Sequence, residues 1–367
     1  MTVGAPPSER LGRVRSFLDT LSLDAILVSR NAGKRWLSGF VIARGDEATS
    51  GYSGTLLVTR DRQLLLTDAR YLEQAGVEAP GWLLHRTSGA LADELPPLLY
   101  GVRRLGCEAG YLPHATWSAL AGAASGVELV PVDDGLARLR LLKDADEVEA
   151  LQRAADLTDA CFGALLDIIR PGVTEQQIAW QIEGWFRGHG AEDVAFNPIV
   201  LVGARAAMPH GRPGRTAVAA AEPLLIDFGC QVDGYRSDMT RTVFIGEPSE
   251  RQRELYAVVL AAQQAAYDAL RPGVTGVEVD AAARRVIEHA GHGDSFTHGL
   301  GHGIGLETHE APFLLRYEEP MRPGMVFTLE PGIYLPGEIG IRIEDEVVLA
   351  EDGPRRLTNA PRELLVI

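Results

Sequence analysis

Cysteine is scarce in this chain, and the little there is carries no pattern. Cys107, Cys161 and Cys230 are odd in number, far apart and without a CxxC pair, which argues against a disulfide framework or a thiolate zinc site. Three reduced thiols suit a cytoplasmic protein. Cys230 lies close to Asp227, but no neighbouring His stands by to activate it, so it reads as packing. Basic charge is also short: 35 Lys and Arg against 50 Asp and Glu give a formal net charge of −15. Nucleic-acid binding needs a basic face, so no nucleic-acid partner is expected, whereas an acidic excess suits a site that concentrates cations. No apolar run approaches the length of a membrane span, and no charged-then-apolar leader opens the sequence, so no membrane partner is expected and the location is read as cytoplasmic. The zinc-protease helix signature HExxH is missing as well.

What is present fits a globular protein of two domains: 367 residues, 46% apolar and 23% charged. The first, 1–138, reads as α/β. DAILVS (24–29), GTLLVT (54–59), QLLLTD (63–68) and VELVPV (127–132) are short apolar runs of strand type, and 10–21 and 68–76 have helical spacing. The second, 139–367, opens on a helix that Asp144 or Asp146 would cap, with Leu151, Ala155, Cys161 and Leu165 on one face. It also contains a repeat: RPGVT occurs at 170–174 and again at 271–275. Pro breaks a helix and Thr caps the next, so the string is also a local stop–start signal. Two related α/β halves, each adding helices to a shared antiparallel sheet, are the preferred reading.

Five residues of metal-binding type stand in this second part: Asp227, Asp238, His302, Glu330 and Glu344. Four carboxylates and one imidazole are too rich in oxygen for structural zinc, and suit two divalent cations that share bridging carboxylates. The chemistry to expect is metal-assisted hydrolysis. Residues 223–246 read as a hairpin turning at Asp233-Gly234, which brings Asp227 and Asp238 side by side. Either Asp alone could cap a turn, but an Asp inside LLIDF is costly unless paired or coordinated. The Gly-rich stretch 297–310 carries His298, His302 and His309, read as one ligand and two catalytic helpers. Residues 321–350 read as a second hairpin turning at Pro336-Gly337, with Glu330 and Glu344 inside its strands. Two glutamates facing a core would take up protons unless cations hold them ionised. Arg342 is open between a salt-bridge partner and a catalytic group. Asp345 and Glu346 alternate faces, so one of them should reach solvent or a partner beside the ligands.

LLIDFG, SDMTRTVF, HGLGHGIGLETHE, FTLEPGIY and GIRIEDEVVL together resemble the Xaa-Pro peptidases, the aminopeptidase P and prolidase group of the pita-bread metallopeptidases. The resemblance covers about residues 140–367, with all five ligand positions in order. It implies an α/β N-terminal domain of creatinase type followed by an α+β pita-bread catalytic domain with internal pseudo-two-fold duplication. It also implies two divalent metal ions, manganese first and cobalt or zinc next, acting on small proline-containing peptides. Asp238, His302 and Glu330 would hold one ion and Asp227 and Asp238 the other, with Glu344 bridging. Glu330 matches the general base, His210 in MPHGRP a substrate contact, and His298 and His309 residues that bind substrate and stabilise the tetrahedral intermediate. Arg342 matches an arginine that orients the site. Methionine aminopeptidases usually lack the large first domain, creatinases lose the metal carboxylates, and peptide-binding relatives without activity lose ligands; this sequence keeps all of them. It departs from the pattern at 41–53, where a longer loop carries Arg44, Asp46 and Glu47. That loop is either a solvated excursion or a lid whose Arg44 grips the carboxylate of a dipeptide. No basic residue follows Pro312, where some prolidases have one, although Arg316 stands nearby. On the strength of Arg44 the reading leans to a dipeptidase rather than an aminopeptidase P, and a homodimer is expected.

Overall fold

The computed structural model describes residues 7–42, 53–132 and 135–367. It divides into two compact units, Met1–Arg140 and Leu141–Ile367.

In the first unit six strands form one mixed sheet in the order Leu83–Arg86, Gln63–Thr67, Thr55–Thr59, Ala25–Val28, Arg104–Cys107, Glu128–Pro131. Ala25–Val28 pairs antiparallel with Thr55–Thr59 on one side and parallel with Arg104–Cys107 on the other. The central strands are buried along their whole length, which explains their unbroken apolar runs. Two strands escape the sequence reading. Leu83–Arg86 is a mostly exposed edge strand, and Arg104–Cys107 has too few apolar residues to stand out.

The second unit makes the duplication visible in its hydrogen bonds. A long helix, Ala145–Leu166, is capped by Asp144 with Glu147 in a reciprocal capping box. Its counterpart, Glu250–Ala269, is capped in the same way by Ser249 and Gln252. Each long helix is followed by the RPGVT turn, with Gly172 at φ 93° and Gly273 at φ 91°, a conformation open to glycine. Gly172 N–H bonds to Val218 and Gly273 N–H to Met321, at 2.9 and 2.8 Å. Thr174 and Thr275 then cap the helices Glu175–Gly188 and Gly276–His289. Two apolar cores lie beneath, one around Phe162, Ile178, Phe186 and Phe228, the other around Val259, Ile287, Phe327 and Ile341.

The strands of this unit do not make one continuous antiparallel sheet. They form four hydrogen-bonded sheets, and Met239–Phe244 pairs parallel with Leu365–Val366. Local packing interrupts the ladders. A Cβ on Gly229 would lie 1.8 Å from Ser237 O, and the register shifts between His302 and Gly303. The second hairpin is likewise split. Val326–Leu329 pairs with Asp345–Ala350, and Gly332–Leu335 with Ile339–Arg342. Glu330 and Glu344 lie in the break between the two ladders rather than inside strands. Their amides bond elsewhere, Glu330 N–H to Leu300 O at 2.8 Å and Glu344 N–H to Thr240 O at 3.1 Å.

Candidate metal centre

The break in the second hairpin aims both glutamates at the first. Asp227 lies near the end of the strand Pro223–Phe228, and Asp238 directly precedes the strand Met239–Phe244 that pairs with it. His302 comes from a two-residue strand beside Phe327, and its backbone N–H donates to Thr328 Oγ1 at 3.2 Å. Ligand atoms of Asp238, His302 and Glu344 all lie within 4.8 Å of one another, and all three residues are buried. His302 Nε2 is 3.3 Å from Glu330 Oε1 and 3.8 Å from Asp238 Oδ2. These residues line a cavity of about 780 Å³ together with Asp227, His210, His298, His309 and Arg342. Nine of the ten site residues named from the sequence are thus brought to one cavity. The tenth, Arg44, lies outside the described residues, as do Asp46 and Glu47.

Charge explains what this floor is suited to. Burial, followed by the fields of Glu344, Asp227 and Glu330, holds the Asp238 carboxyl well above its usual range. Burial, followed by Glu330 and Asp227, does the same to Glu344. Burial pushes Glu330 up to about 8. Asp227 Oδ2 accepts from Arg342 Nη2 at 2.5 Å, while its Oδ1 is buried without a partner among the described residues. Of the four carboxylates, Asp227 alone is ion-paired with a guanidinium among the described residues. Burial also lowers His302, to about 3, which keeps its Nε2 unprotonated and able to ligate. Its Nδ1 donates to Gly303 O at 3.1 Å, a bond that fixes this tautomer. An orphaned carboxylate oxygen, raised carboxyls and a neutral imidazole with its Nε2 turned inward fit divalent cations. They do not fit a self-sufficient protein cluster.

The remaining residues form a chain of donors. Arg342 Nη1 donates to Tyr334 OH at 2.8 Å, and its Nε donates to Thr240 Oγ1 at 3.0 Å. Thr240 Oγ1 in turn donates to Glu344 Oε2 at 2.6 Å. Burial, followed by Arg342, lowers His298 to about 4, so its ring is neutral. His298 Nδ1 faces the Gly299 carbonyl at 2.8 Å and must be the donor there; Nε2 then accepts from Tyr334 OH at 2.8 Å. Both nitrogens of His298 are engaged. The His309 ring lies 4.3 Å from that of His302, centroid to centroid and tilted by 48°, and has no hydrogen-bond partner among the described residues. Asp345 and Glu346 are both buried, so neither reaches solvent, and it is the other expected outcome, a partner beside the ligands, that Glu346 meets. Glu346 Oε1 accepts the Asp238 amide, and Asp345 pairs with Arg241.

Sequence reading missed Tyr334, Thr240 and Thr328. The signal was period two: Thr240 stands two residues after Asp238 and Thr328 two before Glu330, on the same strand face. Tyr334 could not be found that way, because its ladder turns away after Glu330.

Against known proteins, residues 149–351 match the model of metallopeptidase family M24, and residues 10–142 match the creatinase/prolidase N-terminal domain. An Xaa-Pro dipeptidase of Pyrococcus horikoshii is 34% identical over 359 residues, 98% of this chain and 99% of that one. Among solved structures, an Xaa-Pro dipeptidase from Bacillus anthracis superposes with a TM-score of 0.93 at 36% identity, covering 99% of this chain and 100% of the other. An X-Pro aminopeptidase from Thermotoga maritima gives a TM-score of 0.87 at 35% identity, covering 96% and 100%.

Proposed function

This chain belongs to metallopeptidase family M24, and from that premise we propose that it is a two-metal Xaa-Pro peptidase with a preference for dipeptides. The observation that carries the reading is the cluster of four carboxylates and a neutral imidazole in one cavity, of which Asp227 alone is paired with an arginine, Arg342, among the described residues. Asp238, His302 and Glu330 would hold one cation and Asp227 and Asp238 the other, with Glu344 shared. A donor set this rich in carboxylate suits manganese first, then cobalt or zinc. When bound, the pair supplies Lewis acidity to a water and to the scissile carbonyl.

The chain's own groups do the rest. An Xaa-Pro bond is a tertiary amide without an N–H, so a site that relies on that donor fails on it. Here Glu330 takes the proton from the attacking water and delivers it to the leaving proline nitrogen. His309, neutral because burial lowers its pKa, has a ring nitrogen to give to the developing oxyanion. His210 lies exposed at the cavity and meets the peptide. His298 acts through Tyr334, which with Arg342 fixes Asp227 and Glu344.

Dipeptide preference is supported by relatives that carry the dipeptidase name over nearly their whole length. The Thermotoga aminopeptidase favours the second reading, an enzyme for longer Xaa-Pro peptides. Hydrolysis of an Xaa-Pro dipeptide is compared with that of an Xaa-Pro tripeptide and of a Met-Xaa peptide lacking proline. The dipeptide should have the highest kcat/KM, and Arg44→Ala should raise KM for it more than for the tripeptide. Equal turnover of the two lengths gives the aminopeptidase reading, and cleavage of the Met-Xaa peptide sinks the proline assignment. Three buried unpaired cysteines support a cytoplasmic setting, and light scattering checks the homodimer.

A further inference from the structure

A second cavity in the same unit, about 400 Å³, is lined by Tyr267, Thr358, Asn359 and three arginines, Arg355, Arg356 and Arg362. Three guanidiniums around one hollow are unexpected in a chain with a net charge of −15. Two of them share one carboxylate, Asp345. Arg356 Nε lies 3.3 Å and Arg362 Nε 3.7 Å from its Oδ2, and neither makes an ion pair with another carboxylate among the described residues. That carboxylate is already taken. Arg241 Nη2 holds Asp345 Oδ1 at 2.6 Å, and its other N–H groups donate to the carbonyls of Thr240, Glu344, Ala360 and Pro361. Thr358 Oγ1 and Gln263 Nε2 also donate to Asp345, at 3.0 and 3.2 Å.

The three lining arginines otherwise meet neutral groups. Arg355 Nη1 donates to Gln152 Oε1 at 2.8 Å. Arg356 Nη2 and Arg362 Nη1 reach Gln264 Oε1 only at 3.4 Å. Arg356 Nε is buried and, despite its 3.3 Å approach to Asp345, lacks hydrogen-bond alignment with any acceptor among the described residues. Its guanidinium lies over the Tyr267 ring, 3.7 Å from the centroid, which fixes its plane beside the hollow. Two further carboxylates spend themselves on backbone amides: Asp159, which feels both Arg241 and Asp345, accepts those of Asn359 and Ala360, and Glu363 accepts that of Arg362. Arg241, Arg356 and Arg362 thus have Asp345 as their one ion-pair partner among the described residues, and Arg355 has none, which leaves positive charge in excess at the hollow.

We propose that this hollow is a binding site for a small phosphoryl-type dianion, with Arg355, Arg356 and Arg362 as its donors. A dianion matches the excess charge, and planar guanidinium forks match tetrahedral oxyanion edges. The site is separate from the hydrolytic cavity and shares no lining residue with it.

The test is isothermal titration of the metal-loaded protein with inorganic phosphate, in chloride buffer of matched ionic strength. Wild type should bind saturably at about millimolar concentration. Arg355→Gln, an exposed change that keeps the fold, should weaken binding about tenfold. Arg355→Gln with Arg362→Gln should abolish it. Phosphate held at the metal centre would bind both variants as tightly as wild type, and that outcome overturns the proposal. So does the lack of saturable binding in wild type.

Discussion

Glu344 and Asp345 are neighbours in sequence, each about 1% exposed, and their carboxylates meet opposite fields. Glu344 faces the cavity with Asp227, Asp238 and Glu330, four acids of which only Asp227 is paired with a cation among the described residues. Asp345 points the other way, to Arg241, Arg356 and Arg362. Asp345 opens the strand Asp345–Ala350, Glu344 stands in the break just before it, and the two side chains part there. Burial is the same in both places, so burial cannot be what distinguishes a structural carboxylate from one that ligates. The balance of cations does. The Asp345 network supplies its own cations, in excess, and closes the innermost, Arg241, with backbone carbonyls, whereas the Glu344 cluster needs charge from outside the chain.

That contrast is broken most severely by Asp238→Ala, which removes the carboxylate assigned to both ions. Hydrolysis of an Xaa-Pro dipeptide should vanish and metal content fall, as read by turnover and elemental analysis. Asp345→Ala, on the other face, should keep its metal and lose stability instead. Removing one partner of a buried pair costs about 3–5 kcal/mol, measured by denaturant unfolding at fixed metal concentration. If Asp345→Ala loses metal as completely as Asp238→Ala, the two faces are not independent.

Within the cavity the contrast sharpens to two adjacent imidazoles. His302→Ala should lose metal, while His309→Ala should keep it and lose about 10²–10³ in kcat, the usual effect of one oxyanion donor. Equal metal loss in both variants would mean that the histidines have been assigned the wrong way round.

A smaller effect appears with pH in the chelated protein. Glu330, pushed up to about 8 by burial, binds a proton in the folded state that it lacks unfolded, so stability falls as pH rises towards 8. His302 and His298, lowered to about 3 and about 4, act in the opposite sense, but only below the ordinary histidine value of 6.5. Between about 6.5 and 8 the histidines drop out and Glu330 remains, with Asp238 and Glu344 raised in the same sense. Chelated protein should therefore lose stability across that window, and metal-loaded protein should not, in thermal melts at stepped pH.

Much of the site was legible because its ligands are chemically odd for where they stand: an Asp inside LLIDF, glutamates among aliphatics, histidines among glycines. The doubled RPGVT string gave the duplication, since the same turn needs the same glycine and threonine. What stayed hidden depends on breaks in regular pairing. Alternation placed Glu330 and Glu344 within strands, and it could not show that the hairpin parts there into two ladders. Tyr334 was lost for the same reason. The split into four sheets rests on close backbone approaches such as Gly229 on Ser237, which no periodicity encodes. Both Asp345 and Glu346 proved buried because Arg241 and the Asp238 amide lie far from them in sequence.

The central claim, that the acid-rich floor takes two divalent cations and hydrolyses Xaa-Pro peptides with them, is tested most directly by titrating chelated protein with Mn²⁺. Bound metal and turnover of an Xaa-Pro dipeptide are followed together. The account predicts two ions per chain, with turnover returning as the pair fills. Full turnover in the chelated protein, or two bound ions with no cleavage of any Xaa-Pro peptide, would contradict it.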